Sequence, residues 1–244
     1  MHIKFFLKMG DTVLVFRNPF AAPEPQNTKA QMVLSYLALR VLVGVIGVAL
    51  PWVLLFGNWL VAAGTQPSMS GYYYTPMRNV FVGALCSLAV FLVAYKGYDL
   101  ADTTITNIAG GGTVGTALFP TTPYGGTGRE VVIGDCHLVF AVITFVMLAV
   151  MALRFAKREP TPAGLSFWRQ VGYAFGFTGA AASLRPLWKT VLYRVCGFVI
   201  LVAIALIYPG SLVWGYSLLA LEMIMLIAFG LSWFVKGSTL LAGG

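Results

Sequence analysis

Residues 70–95 read SGYYYTPMRNVFVGALCSLAVFLVAY, and how this stretch is read decides the fold. From Asn79 to Tyr95 it carries no charge. A helix over 78–97 has the roughly 20 apolar residues that crossing a hydrocarbon core requires. Its entrance is unusual. Tyr72, Tyr73 and Tyr74 suit the headgroup layer, where a ring is sheltered and its hydroxyl is wet. Pro76 has a fixed φ that suits a first helical turn. Arg78 sits at a helix N-terminus, where the dipole disfavours a cation, so it is expected to have an anionic partner, Asp135 or Glu130.

The rest of the chain points the same way. Of 244 residues, 59% are apolar and only 10% charged, with mean hydropathy +0.83. A soluble domain carries about 25% charged residues, so most of this outer surface faces lipid. Five further spans are expected. They lie at 33–57 (VLSYLALRVLVGVIGVALPWVLLFG), 104–120 (TITNIAGGGTVGTALFP), 134–155 (GDCHLVFAVITFVMLAVMALRF), 191–208 and 211–235. The glycine-rich third span is a packing helix, with Gly111 and Gly115 as a close-approach pair. The fold class is therefore all-α, a polytopic bundle of six transmembrane helices. It comprises an N-terminal cytoplasmic or interfacial segment (1–32), the membrane domain (33–236) and a short tail (237–244).

Orientation follows from the basic residues. Thirteen, from Lys4 to Lys236, flank one set of span ends, and only Arg78 and Arg129 flank the other. The positive-inside rule then places both termini in the cytoplasm of a cell inner membrane, as an even number of spans requires. The net charge of +8 is thus a topology signal, and no nucleic-acid partner is expected. The N-terminus lacks a signal-peptide core, because Lys8 and Asp11 interrupt it. The cytoplasmic segment 156–190 contains LSFWRQVGYAFGF, which reads as an interfacial helix; a seventh span there is the alternative.

Ionisable residues at membrane depth are functional candidates by default. Asp135 and His137 share the outer mouth with Ser68, Ser70, Tyr73 and Arg78, which makes these six the candidate ligand-binding set. Ser70, Asp135 and His137 are the candidate catalytic residues, since a serine, a base and an orienting carboxylate can form a nucleophile. Asp135 and His137, two apart on a helix, point about 200° away from each other; the alternative is that Asp135 caps the fourth span and His137 bonds a neighbouring helix. Asp102, with Thr103 and Thr104, reads as the cap of the third span. Arg40 and Glu222 are the buried ionisable pair. Glu222, about midway through the last span, is either ionised against Arg40 or protonated and hydrogen-bonded. Two histidines and three unclustered cysteines offer no metal site, and no cofactor motif is present.

The segment QPSMSGYYYTPMRNVFVGAL, with DCHLVFAVITF and LYRVCGFVILVAIALI, is similar to small six-span bacterial membrane proteins, distantly of the Frag/Sfk type. That resemblance implies a role near membrane lipids. A fainter similarity is to the CREST membrane hydrolases, which combine a serine, an aspartate and three histidines; Ser70, Asp135 and His137 are the matching positions here. Two functions follow as expectations. One is a lipid-interacting or accessory subunit of a larger membrane assembly. The other is a membrane-embedded hydrolase acting on a lipid headgroup or amide.

Overall fold

The structure is a computed structural model that describes residues 5–9, 12–16, 25–62, 64–160, 165–174, 187–211 and 215–241. The chain divides into two compact units, Met1–Tyr36 and Leu37–Gly244. In the first, β1 (Phe5–Met9) pairs antiparallel with β2 (Thr12–Phe16), Phe5 opposite Phe16 and Met9 opposite Thr12. This hairpin was not expected from the sequence, and it qualifies the all-α reading for the N-terminal segment alone.

Among its described residues, the regular elements of the second unit are all helices. It contains the larger part of α1 (Pro25–Ala62), then α2 (Arg78–Ala94), α3 (Leu100–Leu118), α4 (Arg129–Arg158), α5 (Phe167–Ala174), α6 (Leu187–Ser211) and α7 (Ser217–Leu241). Four helices are long and apolar enough to cross a membrane, over Leu37–Val61, Arg129–Arg158, Leu187–Ile207 and Ser217–Ser238. The chain thus has the build of a multi-pass membrane protein. α2 is apolar but has 17 residues, and α3 has 19 with a polar, glycine-rich sequence. At 1.5 Å per residue they reach only about 26 and 28 Å, against a core of about 30 Å.

Small residues set the helix crossings. A Cβ on Gly47 of α1 would stand 2.8 Å from the Gly230 Cα of α7, and one on Gly237 would stand 2.8 Å from Val41. α3 packs between α2 and α4. There the expected Gly111–Gly115 pair is corrected: Gly111 faces open space. Gly112 abuts Thr144, Gly115 meets the Phe140 ring, and Gly110 meets Val93 and Ala89. Lipid offers no hydrophobic drive for helix pairing, so close backbone approach of this kind supplies the packing.

One end of the bundle is charged. Arg154 and Arg158 of α4 both reach Asp99 and Asp102. Asp99, not Asp102, caps α3, accepting from the Asp102 N–H at 2.8 Å. Asp102 is buried and accepts from the Tyr98 N–H at 3.1 Å. Arg40 is buried beside Tyr95 and Tyr98, donating to their hydroxyls at 3.3 and 3.5 Å. Lys236 donates to Glu159 at 2.7 Å. α5 packs on α6, where Arg194 donates to Gln170 at 2.9 Å, and Trp168 of α5 is exposed. A helix over Phe167–Ala174 is thus present within the segment expected to be interfacial. Of the expected segment 156–190, residues 161–164 and 175–186 lie outside the described residues, and 187–190 belong to α6.

Candidate functional site

The opposite end of the bundle holds the site. Between α1 and α2 the chain folds into a 3-10 turn, Ser70–Tyr74, with Ser68, Met69, Ser70 and Tyr72 all buried. Local bonds shape the turn. Ser68 Oγ accepts from the Gly71 N–H at 2.9 Å, and Thr75 Oγ1 donates to the Tyr72 carbonyl at 2.8 Å. Main-chain bonds tie it to α7: Leu219 N–H donates to the Pro67 carbonyl at 3.0 Å, and Met69 N–H donates to Glu222 Oε2 at 2.6 Å. Ser70 is thereby aimed at the interior of the bundle rather than at the headgroup layer.

There it meets α4. His137 is buried, with Nε2 2.8 Å from Ser70 Oγ and Nδ1 2.6 Å from the Phe119 carbonyl. A carbonyl only accepts, so Nδ1 carries the proton and donates to Phe119. Nε2 is left with its lone pair facing the Ser70 hydroxyl. The Phe119 carbonyl is available because Phe119 is the C-cap that follows α3, where carbonyls lack helical partners. The serine hydroxyl, the imidazole and the carbonyl thus stand in the order that a nucleophile, a base and an orienter require, with a main-chain carbonyl where an aspartate commonly stands.

Glu222 completes the cluster from α7. Its Oε1 lies 3.4 Å from Ser70 Oγ. Ser70 has one hydroxyl proton, and the shorter contact to His137 claims it. Glu222 Oε1 is the more distant second acceptor for that hydroxyl. Behind these groups lies a cavity of about 50 Å³, lined mainly by Leu50, Phe81, Leu85, Phe145 and Leu226 with Ser70 and Glu222 at its polar end. The threonines on its wall have closed hydroxyls. Thr113, Thr116 and Thr144 bond the carbonyls four residues back, at 2.7, 2.9 and 2.9 Å.

The sequence-predicted residues divide accordingly. Ser70 and His137 come together. Ser68 shapes the turn. Asp135 is exposed while His137 is buried, so it orients nothing in this site. Nor does Asp135 cap α4, which begins six residues earlier; Glu130 accepts from the Thr127 N–H at 3.3 Å instead. Arg78 has no carboxylate within ion-pair distance among the described residues. It bonds the Tyr73 hydroxyl and lies 4.2 Å over that ring. Tyr74 is exposed and donates to the Thr121 carbonyl at 2.6 Å. Tyr72, expected in the headgroup layer, is fully buried. Glu222 and Arg40 do not meet. Leu50 lines the cavity, and Arg40 lies ten residues away along α1, about 15 Å. No group of three His, Cys, Asp or Glu side chains converges among the described residues.

Family models, curated proteins and solved structures give no match to this chain, so its function has to be argued from this one constellation.

Proposed function

We propose that the chain is a membrane-embedded serine acyl hydrolase acting on an ester or amide carried by a lipid. The observation that carries this reading is the 2.8 Å contact between Ser70 Oγ and a His137 whose other nitrogen is held by Phe119. The bundle is read as six crossings, with α2 and α3 packed inside it as short spans. Ser70 then lies on the outer side of a cell inner membrane, and both termini lie inside. In the reaction, Ser70 Oγ bonds to the acyl carbon as its proton passes to His137 Nε2, and the carbonyl electron pair moves onto oxygen. The bond to the leaving group then breaks, and the leaving group takes the proton from His137. Water repeats these steps on the acyl-serine, regenerating the serine and releasing the acid. Of the three positions similar to the CREST hydrolases, Ser70 and His137 meet and Asp135 is exposed, so a mechanism with one histidine is proposed.

A fluorophosphonate probe tests this reading. It should label the wild type, with the adduct on Ser70. Ser70→Ala should abolish labelling, and His137→Gln should slow it by about 10²-fold or more, as loss of a general base does. A labelled Ser70→Ala variant, or a wild type that resists the probe, would overturn the proposal. The second reading, a lipid-interacting or accessory subunit, is favoured by Arg78, which is exposed at the mouth and stacked on Tyr73. That placement suits contact with a lipid phosphate. The similarity to the Frag/Sfk type agrees with this second reading.

A further inference from the structure

We infer that Glu222 is an internal ligand of the site. Its carboxyl group occupies the place of a substrate's acyl group, and the Met69 N–H it covers is the donor that would stabilise the oxyanion. This rests on Ser70 being the nucleophile.

Three contacts define the arrangement. One carboxyl oxygen of Glu222 accepts from the Met69 main-chain N–H at 2.6 Å, and the other lies 3.4 Å from Ser70 Oγ. On its far side Ser70 Oγ meets the unprotonated His137 nitrogen at 2.8 Å. A carbonyl group awaiting attack needs this surrounding: an N–H on its oxygen, a hydroxyl beside its carbon, and a base behind the hydroxyl. Gly71 N–H is committed to Ser68 and Tyr72 N–H to Met69, while Ser70 N–H also reaches the Glu222 carboxyl. Met69 N–H, bonded to that carboxyl at 2.6 Å, is the donor we assign to the reacting oxygen, and Glu222 holds it. The cavity continues from this point between apolar side chains. An acyl group with a hydrocarbon substituent fits that setting better than a polar headgroup does. The Glu222 side chain must swing away before such a group can bind, which keeps the serine idle without substrate.

The predicted consequence runs against the usual effect of deleting a site residue. In phospholipid nanodiscs, Glu222→Ala should speed fluorophosphonate labelling of Ser70 by roughly ten-fold, since one freed oxyanion donor is worth on the order of 10²-fold. Propionate, which resembles the missing side chain, should slow labelling of Glu222→Ala and raise its melting temperature, with neither effect in the wild type. Glu222→Gln keeps an acceptor oxygen for Met69 and should label more slowly than Glu222→Ala. Met69 has φ −62°, which proline accepts. Adding Met69→Pro to Glu222→Ala should therefore remove the donor and abolish both propionate effects. A folded Glu222→Ala variant that labels no faster than wild type, or propionate protection that survives Met69→Pro, would overturn the inference. If Glu222→Ala does not fold, Met69→Pro alone decides: unchanged labelling would exclude the donor. Failure of the serine reading looks different, because no variant would then label, while propionate binding to Glu222→Ala, read from its melting temperature, would still judge the internal-ligand claim.

Discussion

At the scale of single residues, protons and cations find partners that charge counting alone does not supply. Arg78 was expected beside Asp135 or Glu130, yet it stacks on Tyr73, five residues back. A cation over an exposed ring is worth about 0.5–1 kcal/mol. A double-mutant cycle on Arg78→Ala and Tyr73→Leu in detergent should return coupling of that size. The cycle on Arg78→Ala and Asp135→Ala should be additive, as for residues that share no contact. Substantial coupling to Asp135 would restore the ion pair. The sequence did flag Ser70 and His137, because polar groups at the mouth of an apolar bundle stand out. It grouped Asp135 with them because all belong to the outer mouth, and a shared depth says little about the face a residue occupies. Glu222 was placed at mid-depth because the last span was expected to begin at 211. α7 begins at Ser217, so Glu222 lies in its second turn, close to the mouth. No sequence signal marks the Phe119 carbonyl, since every residue has one. Only the end of α3 makes that carbonyl available.

At the scale of elements, α3 is the helix that the sequence described least securely and that the site depends on most. Its length and glycine content were legible, but the face it presents was not: three consecutive glycines, Gly110 to Gly112, give no periodicity from which to choose. The observed face sets Gly112 and Gly115 against α4 and so holds Phe119 over His137. Gly112→Leu should cost roughly 1–3 kcal/mol by overpacking and should slow Ser70 labelling as well. Gly111→Ala faces open space and should raise stability by about 0.5–1 kcal/mol, as alanine does over glycine in a helix. Equal losses for the two changes, read as melting temperatures, would show that the face is wrongly assigned. The far end of the same helix is clamped by Asp99. The Asp102 N–H, and then Arg154 and Arg158, hold its carboxyl below the usual carboxylate range. A depressed folded-state pKa contributes stability above the unfolded value of 3.8 and loses it as pH falls through the folded value. Acidification from pH 5 should therefore destabilise the wild type more than Asp99→Asn; parallel curves would remove Asp99 from the clamp. Asn still caps a helix, so the comparison isolates the charge.

At the scale of the whole molecule, the two ends of the bundle differ in kind. One end carries Arg40, Arg154, Arg158 and Lys236 among tyrosines and carboxylates. The other carries Ser70, His137 and Glu222, with Arg78 and Arg129 as the nearby cations. Which end faces the cytoplasm decides whether the serine meets lipids of the outer or the inner leaflet, and only the distribution of basic residues speaks to it. α4 offers a direct measurement because it runs between the two ends. Thr127 precedes its first residue and Lys157 is next to its last, and both are exposed. Thirty residues at 1.5 Å each separate their surroundings by about 45 Å, more than the hydrocarbon core. Single cysteines at the two positions, in a background lacking Cys86, Cys136 and Cys196, should react on opposite sides. An impermeant maleimide should label Thr127→Cys in intact cells and should reach Lys157→Cys only after permeabilisation. The reverse pattern would put Ser70 on the inner side and make cytoplasmic-leaflet lipids the substrates, with the chemistry of the site unchanged. Labelling of both in intact cells would show that α4 does not cross, and would overturn the six-span reading with it.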